Sequence, residues 1–323
     1  MNLVVTSSPH IRSKNSTQTI MRDVIIALVP TLFAGILHFG MRALIVTLVC
    51  AVSSLVAEWL CGLLIYHRTT VKDCSAIVTG LLLALTLPAT VPYWVAAVGS
   101  VFAIVVVKGL AGGLGKNIFN PALAGRAFLM LLWPSYLVRY AATGAELSLT
   151  GANVDMVSSA TPLHHMQMPA LPKESLLDMF LGNIGGTIGE VCTMALLIGG
   201  VYLIVRKVIS PRIPVTYLGT VAVLSLVFFK GESPVAWMLY SLLGGGVVLG
   251  ALFMATDYAT SPVTPKGQII YGIGCGVLTV VFRYFGLFPE GVTYAILLMN
   301  AAVWVIDHYT APRQFGTKKG GKA

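Results

Sequence analysis

The chain has 323 residues, 56% of them hydrophobic and only 10% charged, against about 25% charged in soluble domains. With a mean hydropathy of +0.84, this excludes an ordinary soluble enzyme and indicates an integral membrane protein, whose helices satisfy their own backbone and turn apolar side chains outward. The net charge of +9 would suit nucleic acid in a soluble protein, but membrane topology accounts for it here, and no nucleic-acid partner is expected.

Residues 1–23 read as a cytoplasmic N-terminal segment carrying Arg12, Lys14 and Arg22. It is not a signal peptide, because the apolar run after it is long enough to span. Apolar runs near 24–40, 43–65, 75–88, 92–110 and 120–134 form a first set of five spans. A polar stretch, 135–185, interrupts the pattern. Five more runs follow near 186–206, 213–229, 234–256, 267–285 and 291–309, and a basic tail, 311–323, closes the chain. With the N-terminus in the cytoplasm, the inside segments hold 16 of the 21 lysines and arginines and the outside segments hold 5. The positive-inside rule therefore supports ten spans with both ends in the cytoplasm and the long polar loop outside.

Glu58 lies deep in the second span and Glu190 near the start of the sixth. Ionisable groups in a membrane are costly, so both are candidates for an ion pathway, the alternative being a carboxylate paired with a neighbouring subunit or a backbone donor. "GLLLALTLPATVP" (80–92) aligns without gaps to "GALFMATDYATSP" (250–262), with six of thirteen positions identical. Five spans per half is an odd number, so the copies, 24–134 and 186–310, run in opposite directions. Short or interrupted helices at matching places in an inverted repeat point to a ligand site between the halves.

Between the fourth and fifth spans lies "GGLGKNIFNPALAGRAF" (112–128). Its glycines permit close backbone approach, and Asn120-Pro121 reads as an N-cap with proline at the first helical position. Arg126, five residues on, either snorkels to the cytoplasm or faces a bound anion. The five cysteines form no CxxC pair and lie in or beside apolar stretches, so no metal site is expected from this chain. "VDMVSSATPLHHMQMP" (154–169) in the outer loop starts no obvious strand. His164 and His165 read as solvated loop residues, and Trp133, Tyr136 and Tyr140 as an interfacial aromatic belt.

Taken in order, Ser7, Ser8, Pro9 and His10, then "DCSAIVTGLLLALTLP", "GGLGKNIFNPA", "SSATPL", "GALFMATD" and "FPEGVTYAILLMNAAVWVIDHYTAPRQFG" resemble one family from end to end. It is the D subunit of the Rnf complex, a bacterial membrane oxidoreductase that passes electrons between ferredoxin and NAD while moving ions. The family is similar to the B subunit of the sodium-pumping NADH:quinone reductase, whose longer N-terminal extension is absent here. The resemblance implies an all-α integral membrane fold of about ten transmembrane helices in two inverted five-helix repeats, like urea transporters. It implies a place in the bacterial cytoplasmic (inner) membrane, beside the complex's A, B, C, E and G subunits.

It also gives the polar loop a role. In the family a threonine carries FMN through a phosphoester bond made by a flavin transferase, whose pattern matches Asp155, Ser158, Ser159, Ala160 and Thr161, with Ser159 standing where glycine is common. Thr161 is then the covalent FMN site. A second, non-covalent riboflavin is expected at the repeat interface, with Asn117, Asn120 and Asp257 as its candidate contacts, since amides both donate and accept. The chain would be an electron carrier in a translocase, with no complete active site of its own. The rival readings are a passive transporter or channel of the same fold and the B subunit of the sodium-pumping NADH:quinone reductase.

Overall fold

The computed structural model describes residues 16–66, 71–142, 147, 149, 158–159, 172, 174–230, 233–286 and 291–312. Helix α1 (Thr17–Phe39) starts where Ser16 Oγ accepts from the Thr19 N–H at 3.2 Å, and stops at Gly40, whose φ of +67° suits glycine. α2 (Met41–Cys61) continues into a π-helical turn, Gly62–Tyr66. α3 (Ser75–Leu85) has eleven residues. α4 (Tyr93–Phe102) runs on into a second π-helical turn, Ala103–Gly109, and α5 (Pro121–Leu132) follows. A single helical turn, α6 (Pro134–Leu137), leads to β1 (Tyr140–Ala141), which pairs antiparallel with β2 (Ser158–Ser159). Beyond the outer loop come α7 (Leu176–Leu181), α8 (Thr193–Val205) and α9 (Arg212–Val227). They are followed by α10 (Pro234–Leu243) and α11 (Val247–Leu249), the latter extended by a third π-helical turn, Gly250–Met254. α12 (Pro265–Phe285) and α13 (Val292–Thr310) complete the fold.

Among the described residues this is an all-α membrane protein apart from the two-residue strand pair. Among the described residues four helices are each long and apolar enough to cross a membrane, or five if the bent pair Pro234–Leu243 plus Val247–Met254 is one span. Five shorter apolar helices fill the bundle between them. Phe33, Leu37, Leu64, Leu131, Val205 and Phe285 all point outward, as a lipid-facing surface requires. Inside, Trp237, Tyr217 and Tyr271 are fully buried and none lacks a polar partner. Trp237 Nε1 donates to Tyr284, Tyr217 shares a 2.6 Å bond with Thr279, and Asn300 Nδ2 donates to the Tyr271 hydroxyl at 2.9 Å. Small residues let helices touch: a Cβ at Gly80 would stand 2.7 Å from the Cys50 carbonyl, so α3 lies directly on α2.

Three expectations need correction. The run 234–256 is not one helix. It bends by 60° between α10 and α11, because Gly245 and Gly246 adopt φ of +69° and +63°. The run 186–206 becomes helical only at Thr193, leaving Glu190 in the preceding turn. And the outer loop does contain a strand: Ser158–Ser159 pair with Tyr140–Ala141, a contact set by chain return and not by local β pattern.

The open carbonyls at the α10 break are closed by a cation. Arg283 Nη1 donates to Ser241 O at 2.5 Å and Nη2 to Gly244 O at 2.7 Å, so a guanidinium sits where the helix dipole is negative. Arg42 does the same after α3: its Nε donates to Ala89 O at 2.8 Å and its Nη2 to Thr90 O at 3.1 Å. Arg42 is buried and Arg283 half-buried against backbone.

Candidate functional site

The interrupted helices bring polar residues to the middle of an apolar bundle. α5 begins at Asn120-Pro121 as the sequence indicates: Asn120 Oδ1 accepts from the N–H groups of Ala122 and Leu123 at 3.0 and 3.4 Å. The same side chain reaches across the bundle, where its Nδ2 donates to Met254 O at 3.2 Å in the third π-helical turn. Its own N–H donates to Asn300 Oδ1 at 3.2 Å. Asn120 therefore ties the first turn of α5 to the Gly250–Met254 turn and to α13. Sequence reasoning did not find Asn300; an asparagine inside the apolar run 292–306 was the available signal.

This tie separates two cavities. The first, of about 70 Å³, is walled by apolar side chains such as Val78, Leu82, Val208 and Phe253. Its polar lining includes Ser75, Lys108, Asn117, Asn120, Thr256 and Asp257. The N-termini of α3 and α5 both open onto it, and such ends favour negative charge. The three candidates Asn117, Asn120 and Asp257 thus share one cavity, with different roles. Asn120 has both side-chain atoms engaged. Asn117 Nδ2 donates to Phe119 O at 3.1 Å, while its Oδ1 is buried with no partner among the described residues. A buried acceptor left open costs about 1–3 kcal/mol, so this oxygen is suited to accept from a donor within the cavity. Asp257 accepts from Thr260 Oγ1 at 3.1 Å, and burial pushes its carboxyl above the usual range.

Two further polar residues of this cavity were not singled out from sequence. Lys108, 2% exposed, lies in the second π-helical turn. Its Nζ stands 2.9 Å from Glu58 Oε2 and donates to Ser75 Oγ at 2.7 Å. Glu58 is thus paired within the chain by a lysine. Ser75 in turn donates to Asp73 Oδ1 at 2.6 Å.

The second cavity, about 10 Å³, has room for about one water. Arg126, Glu190, Thr86, Thr187, Thr293 and Gly246 line it. Glu190 Oε2 accepts from Thr187 Oγ1 at 2.8 Å, and its other oxygen faces Gly246, where a Cβ would stand 3.4 Å away. Arg126 is buried here beside Glu190 and does not snorkel outward. Glu58 and Glu190 accordingly belong to different sites.

The polar stretch after α6 meets the bundle near this second cavity. Tyr140, directly opposite Ser159 in the strand pair, is buried and no part of an aromatic belt. Burial raises its phenol above the usual tyrosine range; the nearby Arg126 charge lowers it and the Glu190 charge raises it further. Trp133 and Tyr136, both partly exposed, pack edge-on against Trp94, with centroids 5.1 and 6.2 Å apart. Thr90, in the repeated motif, anchors β1 by donating to Arg139 O at 2.5 Å. Of the attachment motif, the backbone of Ser158 and Ser159 is described; Asp155, Ala160 and Thr161 lie outside the described residues, as do His164 and His165.

Comparison with known proteins gives this geometry a context. Residues 4–316 match the model of the NQR2, RnfD, RnfE family. The chain is 48% identical to the D subunit of the sodium-translocating ferredoxin:NAD oxidoreductase complex of Acetobacterium woodii, over 99% of this chain and 97% of that one. It is 42% identical to the D subunit of the proton-translocating ferredoxin:NAD oxidoreductase complex of Clostridium ljungdahlii, over 98% and 96%. It is 34% identical to the D subunit of the ion-translocating oxidoreductase complex of Escherichia coli, over 98% and 99%.

Proposed function

The chain belongs to the NQR2, RnfD, RnfE family, and from that membership we propose that it is the D subunit of an ion-translocating ferredoxin:NAD oxidoreductase complex of the inner membrane. The observation that carries this reading is the end-to-end match to subunits so named, at 48% and 42% identity. In this reading the chain is a multi-pass flavoprotein that carries electrons and holds no NAD or ferredoxin itself. Its helices form ten spans in two inverted repeats, both termini in the cytoplasm. The recurring packing order supports the repeat: α2 lies on α4 and α9 on α12, then α4 on α5 and α12 on α13.

Thr161 carries FMN, attached by a flavin transferase that reads Asp155, Ser158, Ser159 and Ala160. A second flavin, riboflavin, reaches the first cavity with one edge of its ring, where the open Asn117 acceptor matches a ring N–H. A flavin supplies reversible one- and two-electron chemistry when bound; this chain binds, orients and shields it. Glu58 and Glu190 serve ion movement, one beside each cavity's charged lining. Other Rnf subunits, the transferase and the lipid bilayer are the partners.

The test is flavin fluorescence of the denatured chain on a gel, with transferase coexpressed, comparing the parent with Thr161→Ala. Fluorescence in the parent alone is expected. A colourless parent, with the transferase active on another substrate, would shift weight to a passive transporter or channel of this fold. Fluorescence in both would keep the flavin and reject Thr161.

A further inference from the structure

The buried ion pair Lys108–Glu58 is asymmetric with respect to the first cavity. Lys108 and its partner Ser75 line the cavity, whereas Glu58 is not part of its lining. Both charges are nearly sealed from solvent, at 2% and 3% exposure, so water screens them little. The pair therefore presents its positive end to whatever the cavity holds. The N-termini of α3 and α5 point the same way. Lys108 is also held by a π-helical turn, a local irregularity that is kept in proteins mostly where a side chain has a task. Asp257 is the charged group facing this cavity from the Thr256–Tyr258 side, and Asp73 stands behind Ser75.

We propose that Lys108 and Glu58 are an opposed-charge pair that sets how readily a planar, electron-accepting heteroaromatic ring in the first cavity takes an electron. This rests on the reading that a flavin occupies that cavity. The ring gains one electron from the redox subunits of the complex and becomes negative; no bond forms or breaks. The Lys108 ammonium stabilises that negative charge, and Glu58, 2.9 Å behind it, limits the effect. Lys108 is thus a positioning residue for charge. Removing either member moves the potential in opposite directions, which a purely structural ion pair would not do.

The experiment uses the full-length chain in a Thr161→Ala background, so that only non-covalent flavin is present. Flavin released on denaturation is measured first, and the ring's one-electron midpoint potential is then titrated spectroscopically. Lys108→Met should favour the oxidised ring at least tenfold, a fall of about 59 mV for one electron. Lys108→Arg, which keeps the charge, should stay within threefold of the parent. Glu58→Gln should favour the reduced ring at least threefold, and it tests the idea even if Lys108→Met does not fold. Bound flavin whose potential is unmoved by Glu58→Gln, or moved the same way by both variants, overturns the proposal alone. A parent that releases no flavin overturns the cavity reading together with it.

Discussion

Asn120 is the residue on which the two-cavity arrangement turns, and its replacement gives a graded prediction. Asn120→Ala removes the cap on the N–H groups of Ala122 and Leu123, worth about 1 kcal/mol. It also strips the Met254 carbonyl of its donor in a buried position, a loss of about 1–3 kcal/mol. The backbone N–H to Asn300 survives the substitution. Together the cost is about 2–4 kcal/mol. Asn120→Ser restores the cap but cannot reach Met254, so it should cost only the second part. The assay is reversible unfolding of the detergent-solubilised full chain by denaturant. Alanine within about 0.5 kcal/mol of the parent, the usual range of an unimportant surface change, would refute the reasoning. So would serine as damaging as alanine.

Other substitutions probe the frame around the cavities. Arg283→Lys should destabilise by about 1–3 kcal/mol in the same unfolding assay, because a single ammonium does not match the fork that reaches Ser241 and Gly244 together. Gly80→Ala should cost about 1–3 kcal/mol, since its new Cβ meets Cys50 and Ala51 backbone. Gly219→Ala, with nothing within 4 Å of the new Cβ, should stabilise α9 by about 0.5–1 kcal/mol. Asp257 has a raised folded-state value, so its contribution is fully present below the usual carboxylate range and is lost as pH rises through that raised value. Asp257→Asn should therefore flatten the fall of melting temperature with rising pH over that window; an unchanged pH profile would count against the assignment.

Much of this arrangement is legible in the chain because membrane helices announce themselves by apolar length. The caps are legible for a similar reason: Asn120-Pro121 has one local solution, and the structure adopts it. Asn117, Asn120 and Asp257 were singled out as one group from polar interruptions in apolar runs, and all three line one cavity. What escaped reading depends on partners distant in sequence. Lys108 counted as an inside loop charge, although it ends the apolar run "FAIVVV" and deserved the same suspicion as Glu58 in its span. The acceptors of Arg42 and Arg283 are backbone carbonyls at breaks 47 and 42 residues away, which no local pattern announces. The strand at Ser158–Ser159 has no local signal, since two residues pair only because Tyr140–Ala141 is anchored nearby.

The central claim is that electrons pass through this subunit on their way between ferredoxin and NAD. Inverted membrane vesicles from cells lacking the chain, complemented with the parent or with Thr161→Ala, test it in one measurement of ferredoxin-dependent NAD reduction and coupled ion uptake. The account predicts that the parent restores both and that Thr161→Ala, assembled to the same level, restores neither. Full rates of both with Thr161→Ala would contradict it.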